Sequence, residues 1–259
     1  RKIYKKLLEW KNECQGKKAL LIEGARRIGK STICEEFGKN EYESYLLIDF
    51  AKKDKEVEMY FERYLNDLDT FFMLLQTHFG TKLTERNSLI IFDEVQMFPQ
   101  ARAAIKYLVA DGRYDYIETG SLISIRENVK NIVIPSEERN INMYPLDFEE
   151  FAIAFEEDLL VEYIKKCFEK REPLERSMHN QAMLLFHQYM LVGGMPMPVV
   201  AFIESKKDFT EADKEKRDIL KLYREDIMKI DMRYRSKVLA IYDQIPGFLS
   251  QHEKRVVFK

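Results

Sequence analysis

The sequence predicts an α/β fold: a parallel sheet with helices on both faces, followed by a smaller helical unit. Three observations predict it. Short apolar runs at 18–23, 45–50, 89–92 and 116–119 alternate with segments at helical spacing, the pattern of strands buried on both faces beneath crossover helices. The first run breaks into two glycines with four residues between them. After Pro145 the strand-like runs cease, and the remaining segments, among them DFEEFAIAF, read at helical spacing.

Each element has its own warrant. Ile3, Leu7, Leu8 and Trp10 recur at helical spacing among lysines, so the chain opens on an amphipathic helix ending near Gly16. The run 18–23 is a buried strand, a helix follows from Lys30 to near Gly38, and 45–50 is a second strand, completing a β-α-β start. Between 56 and 79, apolar residues such as Val57, Tyr60, Phe61, Leu68, Phe71, Phe72 and Leu75 stand three and four apart, which means one or two helices. The polar stretch 81–87 is a loop. A third strand, 89–92, ends in Asp93-Glu94. A helix at 101–110 follows the break at Pro99, and a fourth strand, 116–119, runs into Gly120-Ser121. The stretch 141–144 is expected as a fifth strand. Beyond it, 157–170 and 175–191 are helical, VGGMPMP at 192–198 stops one helix and orients the next, and 206–234 is a densely charged helical stretch with a solvated face.

Composition narrows the function classes. Of 259 residues, 46% are hydrophobic and 33% charged, a balance that buries a sizeable core. A net charge of −2 lacks the global positive field of an obligate nucleic-acid binder, leaving only a local basic face for such a role. Cys14, Cys34 and Cys167 are odd in number and form no CxxC pair, which speaks against a disulfide framework or thiolate metal site and suits a reducing, cytoplasmic setting. The four histidines are scattered and make no zinc constellation. No apolar run approaches the ~20 residues that span a bilayer, and the opening RKIYKKLLEWKNE lacks the apolar core of a signal peptide, so no membrane partner is expected.

The chemistry concentrates at the glycines. Gly24-x-x-x-x-Gly29-Lys30-Ser31 fits the phosphate-binding P-loop pattern: glycines let backbone N–H groups turn inward around phosphate, Lys30 reaches the terminal phosphates, and Ser31 binds Mg²⁺. The motif follows an apolar strand and opens a helix, as the mechanism requires. The stretch Gly24, Ala25, Arg26, Arg27, Ile28, Gly29, Lys30, Ser31 and Thr32 is therefore the expected nucleotide contact. Arg26 and Arg27 either touch phosphate or a neighbouring acid, or face solvent.

Asp93 and Glu94 end an apolar strand at the carboxyl edge of the sheet, where open α/β folds bind ligands. Asp93 is expected to hold Mg²⁺ through water, and Glu94 to orient the attacking water, because hydrolysis needs a second carboxylate that the metal does not consume. A glutamate in that place favours ATP hydrolysis over phosphoryl transfer to a small molecule. Thr119 and Ser121 end the next strand, where one of the two hydroxyls would sense the γ-phosphate or the water; the alternative is a plain strand-to-turn pair.

GARRIGKS, LIIFDEVQ, YIETGS, MYPLDFEEF and YMLVGGMP occur in this order and together resemble a widespread bacterial and archaeal AAA-type ATPase family, of the AAA+ and STAND-like kind. The resemblance covers nearly the whole chain, and PLDFEEF and GGMP are more specific than the P-loop. It implies a P-loop ATPase core at 1–145, a helical lid at 146–234 and the beginning of a winged-helix region at 235–259. Family members carry a C-terminal restriction-nuclease-like domain of unknown function, which would follow Lys259, so no nuclease residue is carried over. Gly194-Met195-Pro196 resembles an element whose proline packs on the adenine and couples the lid to nucleotide state; otherwise it is a hinge. Arg139, read as lying just before the fifth strand, stands where such proteins place an arginine finger across a subunit boundary in a homo-oligomer; otherwise it is a surface arginine or an ion pair. The resulting expectation is a cytoplasmic, Mg²⁺-dependent ATPase acting as a conformational switch. Its rivals are a non-hydrolysing nucleotide switch and a DNA-associated module that recognises duplex through the winged helix.

Overall fold

The computed structural model describes residues 1–121 and 136–250, in two compact units, Arg1–Ala182 and Met183–Lys259. The first unit is built on five strands, β1 (Ala19–Gly24), β2 (Ser44–Asp49), β3 (Ser88–Asp93), β4 (Asp115–Ser121) and β5 (Glu138–Asn142), all paired in parallel in the order β2-β3-β4-β1-β5. The register brings Asp49 level with Asp93, and Gly24 level with Ser121, so the strand ends share one edge.

Alternation along the strands divides the core in two. Ala19, Leu21, Leu46, Ile48, Ile90, Phe92 and Tyr116 pack beneath α3 (Lys55–Tyr64), α4 (Leu68–Phe79) and α5 (Pro99–Asp111). The intervening residues Leu20, Ile22, Leu89, Ile91 and Ile117 are fully buried on the other face, on which α2 (Lys30–Glu41) lies. Outside α2 runs α1 (Lys2–Cys14), whose Tyr4 and Trp10 rings meet Phe37 at 5.4 and 6.5 Å. Burying Ile3, Leu7 and Trp10 stabilises α1 by about 1.5–3 kcal/mol per side chain, which an isolated helix of this length lacks.

Local chemistry sets the boundaries. The stretch 56–79 is two helices because Asp54 accepts from the Glu56 and Val57 N–H groups and Asp67 from that of Thr70, capping each in turn. Helix α2 runs past the expected stop at Gly38, to Glu41. A Cβ on Gly38 would lie 2.8 Å from the Tyr45 Cβ, so this glycine serves close packing against β2 and does not end the helix. The fifth strand is Glu138–Asn142, earlier than the expected 141–144, and Arg139 lies inside it. Its polar composition follows from its place at the sheet edge, where it pairs with β1 alone.

The signature MYPLDFEEF has a structural task. Asp147 and Glu150 form a capping box at the start of α6 (Phe148–Ala154). Lys2 reaches Asp147 at 2.5 Å and Glu149 at 2.7 Å, while Arg1 meets Glu150 at 3.0 Å, tying α1 to the turn after β5. Lys165 of α7 (Asp158–Lys170) joins the same group through Glu149.

A second polar group lies within the α5 face of the sheet. Arg102 of α5 donates to both oxygens of Glu138 at 2.9 and 3.0 Å, both side chains being nearly inaccessible. Beside them Glu118 of β4 is fully buried with neither carboxyl oxygen hydrogen-bonded. Burial, reinforced by the charge of Glu138, pushes the Glu118 carboxyl well above the usual carboxylate range, against the pull of Arg102.

The boundary between the units falls inside α8 (Arg176–Val192). The second unit continues through α9 (Pro196–Glu204), α10 (Phe209–Ile227) and α11 (Met232–Ser250). Gly193 leaves α8 with φ 81°, and Pro196 occupies the first turn of α9, where its missing N–H is no loss. The Phe202 and Phe209 rings meet tilted at 4.7 Å between α9 and α10, and Arg224 pairs with Asp243 at 2.5 Å between α10 and α11. Residues 235–250 form part of one helix; the remainder of the expected winged-helix start, 251–259, lies outside the described residues.

Candidate active site

The loop after β1 is shaped by what its glycines leave out. A Cβ on Gly24 would lie 2.4 Å from the Met143 carbonyl oxygen and 2.5 Å from the Ile28 Cδ1. The residue just after β5 thus presses directly on the loop, and Met143 N–H donates to Glu23 O at 2.7 Å. Ile28 is fully buried and anchors the loop's centre, while Arg27 and Gly29 take left-handed backbone conformations at φ 66° and 86°. Gly29 is the N-cap of α2 and offers no side-chain cap, so the first amides of the helix face the loop with their partial positive charge.

Lys30 lies 5% exposed, with Nζ donating to the carbonyls of Gly24 at 3.2 Å and Ala25 at 2.9 Å. Burial lowers its pKa, and the charges of Glu94 and Asp93 oppose that shift. The next residue turns toward β3: Ser31 Oγ donates to Asp93 and stands 2.8 Å from each carboxylate oxygen. From the other side the Thr119 hydroxyl donates to Asp93 Oδ1, and it accepts the Glu94 backbone N–H at 3.3 Å. Phe92 is level with Glu118 in the β3–β4 register, which is why the following residues, Asp93 and Thr119, meet. Five of the expected residues, Lys30, Ser31, Asp93, Glu94 and Thr119, thereby converge at one mouth of the sheet. Such a set, a lysine on a glycine loop with a hydroxyl and a carboxylate facing it, suits a polyphosphate and a hard cation.

Residues 16–152, just over half of the chain, match the model of a family described as an AAA domain. The chain belongs to this family. This AAA domain is accordingly a nucleotide-binding domain of the ATPase type. No curated protein matches the sequence. Among solved structures, C. elegans PCH-2 is similar with a TM-score of 0.38 and 12% identity, over 83% of this chain and 65% of that one. A Pyrococcus horikoshii Signal Transduction ATPase with Numerous Domains (STAND) protein with a tetratricopeptide repeat sensor is similar with a TM-score of 0.43 and 17% identity, over 86% of this chain and 33% of that one. Both likenesses are too loose to assign an activity.

In the AAA domain Glu94 leaves β3 with φ 53° and ψ 45°, a left-handed conformation that is unfavourable for a residue with a Cβ. It opens a single 3-10 turn, Val95–Met97, and its carboxylate accepts a hydrogen bond from the Gln96 side-chain amide. Gln96, two residues past Glu94 in LIIFDEVQ, carries no spacing that marks it as functional; only its burial in the structure singles it out. Ser121 is buried and level with Gly24, and Thr119 is the residue whose hydroxyl donates to Asp93. Ala25, Arg27 and Thr32 are exposed on the loop and first turn, and Arg26 is half-buried.

One expected residue of the first unit is not brought to this mouth, and another belongs to the other unit. Arg139 stands level with Leu20, toward the opposite end of β1, and its guanidinium is 2.6 Å from Glu13 on α1. Pro196 belongs to the second unit, at the start of α9.

A divalent cation fits the donors present. Ser31 and Asp93 supply hard oxygens, and the described residues contain no group of three or more His, Cys, Asp or Glu arranged to hold a metal alone. A site with one hydroxyl and one carboxylate depends on substrate oxygens and water to complete its shell, which is the habit of Mg²⁺. No helix among the described residues is long and apolar enough to cross a membrane.

Proposed function

We propose that the AAA domain hydrolyses ATP with Mg²⁺ and that the cycle switches the position of the helical region. The observation that carries this reading is the convergence of Ser31 and Thr119 on Asp93 beside Lys30 and Glu94. In this reading Lys30 and the loop amides bind the phosphates, and Ser31 and Asp93 hold the metal. Bound there, Mg²⁺ offsets phosphate charge and polarises the terminal phosphoryl group. Glu94 accepts a proton from the attacking water. The water oxygen forms its bond to the γ-phosphorus, the bond from that phosphorus to the bridging oxygen of ADP breaks, and the proton ends on the Glu94 carboxylate. Thr119 ties the metal carboxylate to the Glu94 backbone, so it is the better supported of the two sensor candidates, with Ser121 beside the loop.

The finer assignments are proposals of the same kind. Pro196 would contact the adenine and report nucleotide state to the second unit. Arg139 would act on the γ-phosphate of a neighbouring copy in a homo-oligomer, a role that its exposed side chain allows. A second reading, a nucleotide switch that does not hydrolyse, draws on the engagement of the Glu94 carboxylate by Gln96.

Single-turnover hydrolysis separates the two readings. Lys30→Ala is expected to lose nucleotide binding or turnover, and Glu94→Gln to bind ATP normally while hydrolysing it about 10² to 10⁴ times more slowly. Equal rates for wild type and Glu94→Gln would remove Glu94 from catalysis and favour the non-hydrolysing switch.

A further inference from the structure

Gln96 is buried at the active-site mouth and has no part in the mechanism above. We infer that it is a positioning residue: its side-chain amide fixes the Glu94 carboxylate in the orientation from which it takes a proton from water. The inference rests on the reading of Glu94 as the residue that acts on water.

Three observations lead there. The Glu94 backbone is held at both ends, its N–H on the Thr119 hydroxyl and its carbonyl by the Met97 N–H at 2.9 Å. A glutamate with a fixed backbone still rotates about three side-chain bonds, so the carboxylate is placed by what it touches. What it touches is the Gln96 Nε2 amide, which donates to Oε2.

Gln96 is itself well anchored. Its neighbour Val95 is 1% exposed in the core, and Phe98 at the end of the turn stacks on Phe50 at 5.3 Å. These two anchors flank Gln96 in the 3-10 turn. Taking an amide donor out of water is unfavourable unless it is hydrogen-bonded, and the Glu94 carboxylate satisfies the Nε2 donor.

The choice of an amide has a chemical consequence. A lysine or arginine at this position would neutralise the carboxylate and add a cation near Lys30. Glutamine donates a hydrogen bond without charge, so Glu94 is oriented and remains a base. Because the amide takes Oε2, it assigns the water to the second oxygen, Oε1.

The test uses the full chain and two kinds of readout. Gln96→Met keeps the length of the side chain and removes the donor; kcat is expected to fall about tenfold or more, with KM and ATP affinity unchanged. Gln96→Glu adds a like charge and is expected to fall further. Gln96→Asn retains an amide too short to reach and repeats the comparison with the polarity of the site kept, should the methionine variant fold poorly. Independently of turnover, the Gln96 side-chain amide resonance in nucleotide-free protein is expected to move toward the position of a solvated amide in Glu94→Ala. Wild-type kcat in Gln96→Met and Gln96→Asn while Glu94→Gln is inactive would overturn the positioning role alone. Wild-type hydrolysis by Glu94→Gln would overturn the underlying reading as well. An amide resonance indifferent to Glu94→Ala would remove the contact itself.

Discussion

Two neighbouring residues of β4, Glu118 and Thr119, point to opposite faces of the sheet and meet opposite solutions to burial. Thr119 reaches the carboxyl edge, where its hydroxyl donates to Asp93 and accepts from Glu94, so that every polar partner is matched. Glu118 points into the α5 face, where both oxygens lack partners and the nearest ions, Arg102 and Glu138, already bind each other. Around Asp93 the mouth of the sheet is a hydrogen-bonded network poised for charge, and Glu118 lies in an interior that resists it. A satisfied network rigidifies a site, whereas an incomplete one lowers stability and makes it depend on pH.

The largest stability effect should come from breaking the interior pair. Arg102→Met removes the guanidinium and leaves Glu138 and Glu118 together without a counter-ion. Removal of one partner of a buried ion pair typically destabilises by about 3–5 kcal/mol, and denaturant unfolding near neutral pH should show a loss of that order. A change below about 1 kcal/mol would mean that Glu138 takes up a proton or water at little cost and that the pair contributes almost nothing.

Glu118→Gln sharpens the comparison from the other side. Burial raises the folded-state pKa of Glu118 above its unfolded value, so the folded chain binds the proton more tightly. Stability is then fully present below the ordinary glutamate range and falls as pH rises through it toward the raised folded value. The groups facing Glu118 set the terms: Glu138 raises it, Arg102 lowers it, and Tyr116 on the same face has its own pKa pushed up by burial. Glu138 shifts upward too, from burial, against Arg102, so it adds to the same slope. Glu118→Gln cannot titrate, and its stability relative to wild type should improve with pH by up to about 1.4 kcal/mol per unit above the glutamate range. Parallel stability curves for the two proteins would show that Glu118 does not change its protonation on unfolding.

The same contrast decides what was legible in the amino-acid order. Gly24, Lys30, Ser31 and Asp93 were legible because their chemistry is written in short spacings and at the end of an apolar run. Four strands were legible from the short apolar runs at their centres, although β4 also carries Asp115, Glu118, Thr119 and Ser121. The fifth was misplaced by three residues at its start, since an edge strand with exposed positions carries Glu138, Arg139 and Asn140 in place of an apolar run. Gln96 acts within its own turn and was hidden by its unmarked burial, whereas the meeting of Thr119 with Asp93 depends on which strands lie side by side, a property of register that no local pattern contains. The interior cluster was invisible for the same reason: Arg102, Glu118 and Glu138 come from a helix and two strands that are not adjacent in the sheet. Stretches quoted for resemblance divided likewise, with MYPLDFEEF explained by the Met143 contact to Gly24 and the capping box at Asp147.

The smallest expected effect on stability lies one residue from the interior pair. Arg139 follows Glu138 along β5 and points to the other face, where it pairs with Glu13 at 2.6 Å; the two side chains are 44% and 59% exposed. Solvent screens such a pair, and Arg139→Ala should shift unfolding by less than about 1 kcal/mol, with the difference shrinking further at high salt. A surface arginine and an arginine that serves a neighbouring copy are indistinguishable by that measurement, so the hydrolysis rate must be followed against protein concentration. If Arg139 acts across a subunit boundary, wild-type turnover per chain rises as copies associate, and Arg139→Ala stays at the dilute rate over the whole range. The variant should then regain acceleration when mixed with Lys30→Ala chains, which supply an intact Arg139 but no working loop. Identical concentration curves for wild type and Arg139→Ala would return this arginine to its pairing with Glu13 and leave the catalytic charge to the residues at the mouth of the sheet.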